Sequence, residues 1–539
     1  MPETALRAAD VLARRLYAAG CRHAFGMPGG EVLTLVDALE RAGIAFHLTK
    51  HENAAGFMAE GVHHRDGAPG ILVATLGPGA MNGVNVIANA LQDRVPLIVL
   101  TGCVDEDEAL SYTHQVMDHA AVFAPLTKGS WRLTPQGAGI VADKAISVAM
   151  SPRQGPVHID VPISVADAEA PAPAPLVRAK PATVVPTGPD LATARDVLAK
   201  AKRPLAVIGL DVLADGSQRV LQAFVEHFGI PFITTYKAKG VITEDHPLCL
   251  GAAGLSPLAD QHLLPLVQQA DLVLAIGYDP IEMRPGWRNA WDPARQTVID
   301  LCAEPNTHDM HHATLSFVAD TGATLEALAQ GLSGQQTWPG NEIAQTQAAL
   351  TAAFPADEDW GPAAVIDETR QALPDTTLAT ADSGAHRILL SQMWHCSEPK
   401  GLVQSSGFCT MGCAAPLAIG LKLVEPNRPV VSFSGDAGML MVAGDLATAA
   451  ELNTPVIFVV FVDASLALIE LKQRQRQMPN RGVDFGHHDF AAIGRAFGGN
   501  GVTVRNRADL RAALTTAISA DRFTVIAAEI DKGAYDGRI

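Results

Sequence analysis

The sequence predicts an α/β protein built from three doubly wound parallel-sheet domains, and three observations carry that expectation. Short apolar runs alternate with helical stretches along the whole chain, the order of strand–helix–strand units. The runs are continuously hydrophobic, as in strands covered on both faces, and most are followed by Gly, Pro or Asp. At 539 residues the chain is too long for one core. Two stretches of linker composition, "DAEAPAPAPLVRAKPATVVPTGPD" (167–190) and "GLSGQQTWPGNE" (331–342), divide it near 1–170, 188–335 and 355–535.

In the first block, "MPETALRAADVLARRLYAAG" spaces Arg and Leu helically, carries Glu3 and Asp10, and lacks an apolar targeting core; it reads as a first helix. "GILVATLGPG" is a buried strand running into a Gly-Pro-Gly turn, "AMNGVNVIANALQD" a helix, and "VPLIVLTG" the next strand. The middle block repeats the style in "RPLAVIGLD", "PFITTY", "ADLVLAIGYD" and "QTVIDLC". The third does so again in "TLATADSG", "RPVVSFSGDAG", "PVIFVVFVD" and "FTVIAAEI". The blocks share a layout without a residue-level repeat. Ligands of such sheets sit beyond the carboxyl ends of the strands, so the residues just after each apolar run are the ones to inspect.

Composition narrows the partners. Net charge is −17, basic runs are missing and aromatic residues are few, which makes nucleic acid and anionic membrane poor partners. No run approaches the roughly 18 apolar residues of a bilayer span. The seven cysteines (21, 103, 249, 302, 396, 409 and 413) are scattered, odd in number and free of CxxC, which fits a reducing cytoplasm and no zinc site. Cys409 and Cys413 read as two small buried side chains more readily than as a redox couple.

Two places stand out chemically. "VVSFSGDAGML" ends a strand at Ser434 and continues Gly435, Asp436, Ala437, Gly438, small residues that let backbone N–H groups approach an anion at a helix start. The next strand, "PVIFVVFVD", ends in Asp463, 27 residues after Asp436. If the two strands are neighbours, two carboxylates meet at one sheet edge, and oxygen ligands of that kind select Mg²⁺; either Asp alone could equally be a helix cap. The second place is "AFHLTKHENAAGFMAEG" (45–61), where Glu52 faces small apolar residues and needs a partner, or serves as a cap at the helix start.

With these motifs the chain resembles the thiamine-diphosphate (ThDP) and Mg²⁺-dependent 2-oxo acid enzymes, in its closest form the acetolactate synthase family and its catabolic, flavin-independent branch. The resemblance spans all three blocks: "HENAAGFMAEG", "LGPGAMNGVNVIANALQDRVPLIVLTG", "THQVMDHAAVFAPLTK", "IGYDPIEMRPGW", "GDAG" and "GVDFGHHDFAAIGRAFG" follow in order. It implies pyrimidine-binding, central and diphosphate-binding domains. It assigns Glu52 to the aminopyrimidine nitrogen, Pro78 and Asn82 to the pyrimidine wall, and Gln115 to the reacting centre. Gly384 and His386 fall near the diphosphate, as do Gly435, Ala437 and Gly438; Met411 falls under the thiazolium, and Cys409 offers a carbonyl to the amino group. Asp436, Asp463 and the Ser465 carbonyl become the metal ligands, although Val462 stands where the family has Asn.

The implied reaction is carboligation: a 2-oxo acid such as pyruvate is decarboxylated and its acyl unit passes to a second carbonyl compound. A non-oxidative decarboxylase is the alternative, and a non-catalytic scaffold a remote one. Arg284 lies within one residue of a family arginine for the second substrate's carboxylate. Lys472 or a neighbour stands where biosynthetic relatives carry Trp, either at the acceptor site or on a solvated helix face. The middle block has no clear flavin signature, which argues against FAD. The family's sites are shared between subunits, which implies a homodimer or homotetramer.

Overall fold

Each block's continuous apolar runs pair side by side into a six-stranded sheet in which every pairing is parallel. The protein is described here by a computed structural model covering residues 6–172 and 182–539; the first five residues and the middle of the 167–190 linker lie outside the described residues. The first sheet runs from His23–Met27 to Val157–Pro162, the central one from Pro204–Ile208 to Leu315–Val318, and the third from Leu378–Ala381 to Thr524–Glu529. Numbering strands within each sheet by chain order, the first and third sheets share the spatial order second, first, third, fourth, sixth, fifth. The central sheet is third, second, first, fourth, fifth, sixth. The outer domains are therefore architectural twins.

The N-terminal helix forms over Ala8–Ala18, preceded by the strand Leu6–Arg7, which pairs antiparallel with Glu169–Ala170 and closes the first domain. The 331–342 stretch behaves differently from its composition. Trp338 is buried and donates its indole N–H to the Pro204 carbonyl at 2.7 Å, and Thr337 bonds the Gly229 carbonyl. One large aromatic converts a Gly/Gln-rich segment into a strap across the central domain.

The helix Glu52–Asp66 packs along Ala414–Val424 of the third domain, within a hydrophobic cluster that contains Phe57, Met58, Leu417 and Leu421. A Cβ at Gly420 would fall 2.1 Å from the Met58 carbonyl oxygen, and one at Gly61 would fall 2.4 Å from that of Leu417. The small residues after Glu52 thus permit backbone-to-backbone approach of two domains. Among the described residues no helix is long and apolar enough to cross a membrane, and all seven cysteines are free.

Candidate active site

In the third sheet the strand order reverses between Leu378–Ala381 and Val430–Gly435, the kind of crevice where α/β proteins bind ligands. Asp382 follows the first of these strands and Asp436 the second. Val430–Gly435 also pairs with Ile457–Val462, so Asp436 and Asp463 leave neighbouring strands at the same edge. Asp436 is buried; its Oδ2 accepts the backbone N–H groups of Ala464 at 2.7 Å and Asp463 at 3.1 Å, and its Oδ1 that of Ala437 at 2.8 Å. Ser465 donates its N–H to Asp463 at 3.0 Å and its hydroxyl to Asp484 at 2.7 Å. Burial, and then the charge of Asp436, push the Asp463 carboxyl up to about 7. Two facing carboxylates that resist joint ionisation fit a hard divalent cation such as Mg²⁺.

These residues border a cavity of about 280 Å³. Ser383, Gly384, His386, Gly435 and Gly438 line it with Met411 and Cys409 of the third domain, as do Arg284 of the central domain and Tyr535 of the C-terminal segment. His386 stacks on Phe461 at 5.2 Å between centroids, and burial depresses its ring to about 3, so it is neutral. Its Nε2 and the Ser383 hydroxyl are buried without a hydrogen-bond partner. A Cβ at Gly384 would crowd the His386 ring at 2.7 Å, and one at Gly438 would stand 2.2 Å from Asp382 Oδ2. Unpartnered donors around a cradle that tolerates no side chain fit the oxygens of a diphosphate.

Asp382 is a site residue that the sequence reading missed. It is fully buried, accepts the Gly412 N–H with both oxygens at 2.8 and 2.9 Å, and thereby ties the turn after Met411 to the sheet. Burial pushes its carboxyl up to about 6. The signal was available as a second acid following an apolar run in "TLATADSG". Phe461, Arg387 and Tyr535 were also missed, because only their spatial neighbours mark them.

The remaining expected residues cluster in the first domain. The helix Glu52–Asp66 is capped by His51, whose Nδ1 accepts the Asn53 N–H at 3.1 Å, so capping does not occupy Glu52. Glu52 is buried and accepts the Asn82 side-chain N–H at 3.0 Å. Pro78 is the first residue of the short helix Pro78–Asn82. Gln115 has a left-handed backbone (φ 58°), and its carbonyl lies 2.8 Å from where a Cβ on Gly77 would stand. None of Glu52, Pro78, Asn82 and Gln115 lines the 280 Å³ cavity. Lys472 is exposed on the helix Ala467–Gln475 and is not a lining residue either.

Comparison with known proteins identifies the same three regions. The N-terminal TPP (thiamine pyrophosphate, that is, ThDP) binding domain of thiamine pyrophosphate enzymes matches residues 6–122, their central domain 191–328, and their C-terminal TPP binding domain 382–528. An acetolactate synthase of Bacillus subtilis is 28 % identical over 97 % of this chain and 93 % of its own. The catabolic acetolactate synthase of Raoultella terrigena is 28 % identical over 97 % and 95 %. A probable 2-ketoarginine decarboxylase of Pseudomonas aeruginosa is 31 % identical over 92 % and 89 %.

Proposed function

Because this chain belongs to the thiamine pyrophosphate enzymes, as an acetolactate synthase-like transferase or lyase, we propose that it is a carboligase of acetolactate synthase type. It decarboxylates a 2-oxo acid such as pyruvate and passes the acyl unit to a second carbonyl compound. The supporting observation is the Asp436–Asp463 pair beside a glycine-lined cradle of unpartnered donors.

ThDP, when bound, supplies a nucleophilic carbon and a sink for the electron pair left behind by CO₂. In this reading Asp436, Asp463 and the Ser465 carbonyl hold Mg²⁺. Gly384, His386, Gly435, Ala437 and Gly438 wrap the diphosphate. Met411 would support the cofactor, and the Cys409 carbonyl would accept from its amino group. Glu52, oriented by Asn82, would hold a proton at the pyrimidine nitrogen, while Pro78 would line that ring and Gln115 would reach the reacting centre. Arg284 meets the acceptor's carboxylate, and Lys472 lies on the solvated face. The Glu52 group does not line the Asp436 cavity of its own chain, which supports a site completed by a second protomer, in a cytoplasmic homodimer or homotetramer that uses no flavin.

A second reading, non-oxidative decarboxylation, is favoured by the similarity to the 2-ketoarginine decarboxylase. Incubation with ThDP, Mg²⁺ and pyruvate separates the two: acetolactate supports carboligation, acetaldehyde supports the second reading, and no turnover of any 2-oxo acid contradicts both.

A further inference from the structure

Two guanidinium groups reach the same cavity from different domains. Arg387 lies on the helix Ala385–Met393 of the third domain and is only 6 % exposed. It donates through Nη1 to the Ser405 carbonyl and through Nη2 to Cys409 Sγ at 3.2 Å, while its buried Nε has no partner. Arg284, from the central domain, is half-buried and its backbone N–H is anchored on the Gly254 carbonyl at 3.0 Å. Both line the cavity, as does Cys409. Among the described residues no carboxylate comes within the 4.0 Å of an ion pair to either side chain. Asp260 acts on Arg284 only through space, and its Oδ1 accepts the Gly254 N–H at 3.2 Å. Burial and the neighbouring Arg387 charge lower the proton affinity of Arg284. Two cations side by side with no acid in ion-pair range favour an anion beside them.

The carboxylate that departs as CO₂ cannot be their target. Its charge is lost along the reaction coordinate, so a guanidinium clamped on it would stabilise the ground state over the transition state. The arginines are suited to anionic groups that survive the reaction, to which a guanidinium donates charge-assisted hydrogen bonds. Two pyruvates leave only one such charge in their product, whereas two guanidinium groups line this cavity.

We infer that the substrate pair of this enzyme keeps two anionic groups after decarboxylation, one on Arg284 and one on Arg387. The substrate class is then a 2-oxo acid and carbonyl acceptor that together carry a further carboxylate or an equivalent oxyanion. This rests on the carboligase reading for its chemistry. Atoms balance as before: the donor's C1–C2 bond breaks to release CO₂, its electron pair forms the new bond to the acceptor carbonyl, and that oxygen takes a proton.

Unreactive acids test this on the ThDP- and Mg²⁺-loaded protein by titration calorimetry. Malonate, succinate and glutarate are compared with butyrate for the wild type, Arg284→Gln, Arg387→Gln and Arg387→Lys. The best diacid is expected to bind at least tenfold more tightly than butyrate. Each Gln variant should reduce that ratio severalfold, with Arg387→Lys retaining part of it. Equal affinities in the wild type, or a ratio untouched by Arg284→Gln, overturn the inference even if Arg387 variants fail to fold. Pyruvate turnover without diacid preference contradicts this inference alone, whereas diacid preference without turnover of any 2-oxo acid contradicts the carboligase reading and leaves the anion site standing.

Discussion

Asp436 accepts the backbone N–H of Asp463 at 3.1 Å, so the chain itself binds together two acids whose charges repel. The strand ends are held in a high-energy arrangement that a cation would relieve. Asp463→Asn should therefore raise the stability of the cofactor-free protein by roughly 1–3 kcal/mol. The same change should remove most of the rise in melting temperature that Mg²⁺ with ThDP gives the wild type. Thermal unfolding with and without the pair of ligands measures both; a variant that is less stable when free and equally stabilised by them would contradict the metal assignment.

The contact between the first and third domains depends on Gly420. An added Cβ would meet the Met58 carbonyl oxygen at 2.1 Å, a rigid backbone atom that cannot rotate away. Gly420→Ala should cost about 3 kcal/mol, read from denaturant unfolding. Gly67→Ala, at a left-handed helix end (φ 75°) with open space around it, should cost only about 1 kcal/mol.

His119 anchors the turn that leads into Asn82, the hydrogen-bond partner of Glu52. Its Nε2 accepts the Gly77 N–H at 3.1 Å, and its Nδ1 donates to Asp160 at 2.8 Å, which sets a neutral tautomer. His119→Leu would leave the Gly77 N–H buried and unpaired, costing about 1–3 kcal/mol locally. Hydrogen exchange of the 74–82 peptide should accelerate at least tenfold, and His119→Gln, whose carbonyl can replace Nε2, should restore protection. Unchanged exchange in the Leu variant would mean that the turn does not rely on this ring.

Asp382 supplies a pH dependence whose sign follows from its raised carboxyl. Folded, it titrates near 6; unfolded, near its ordinary 3.8. The native state therefore holds the proton more tightly, and the stabilisation is complete below about pH 4 and lost as pH rises through 6, by roughly 3 kcal/mol. Subtracting the pH–stability curve of Asp382→Asn from that of the wild type should isolate this slope in the cofactor-free protein. A difference curve that is flat from pH 4 to 6 would refute it.

How much of this was legible in the sequence depends on how far each signal reaches along the chain. Asp436 and Asp463 could be found because each directly follows an apolar strand, and strand pairing does the rest. Asp382 has the same local signature, but its meaning lies in Gly412, 30 residues on. The Ala/Gly surroundings of Glu52 were visible, yet their main use is the approach to Gly420 and Leu417, which no local pattern announces. Trp338 misled in the opposite way: its neighbours have linker composition, and one buried indole decides the outcome. Arg387 and Cys409 sit in unrelated motifs, and only the fold brings guanidinium and sulfur to 3.2 Å.

The central claim is that Glu52 of one protomer and Asp436 of another act on a single bound ThDP. Co-expressing Glu52→Gln with Asp436→Asn tests it most directly, with CO₂ release from pyruvate as the readout. Each variant alone should be nearly inactive, while random pairing into dimers restores one intact site per mixed dimer and about a quarter of wild-type activity. A mixture no more active than its parents, beside an active wild type, would contradict the account.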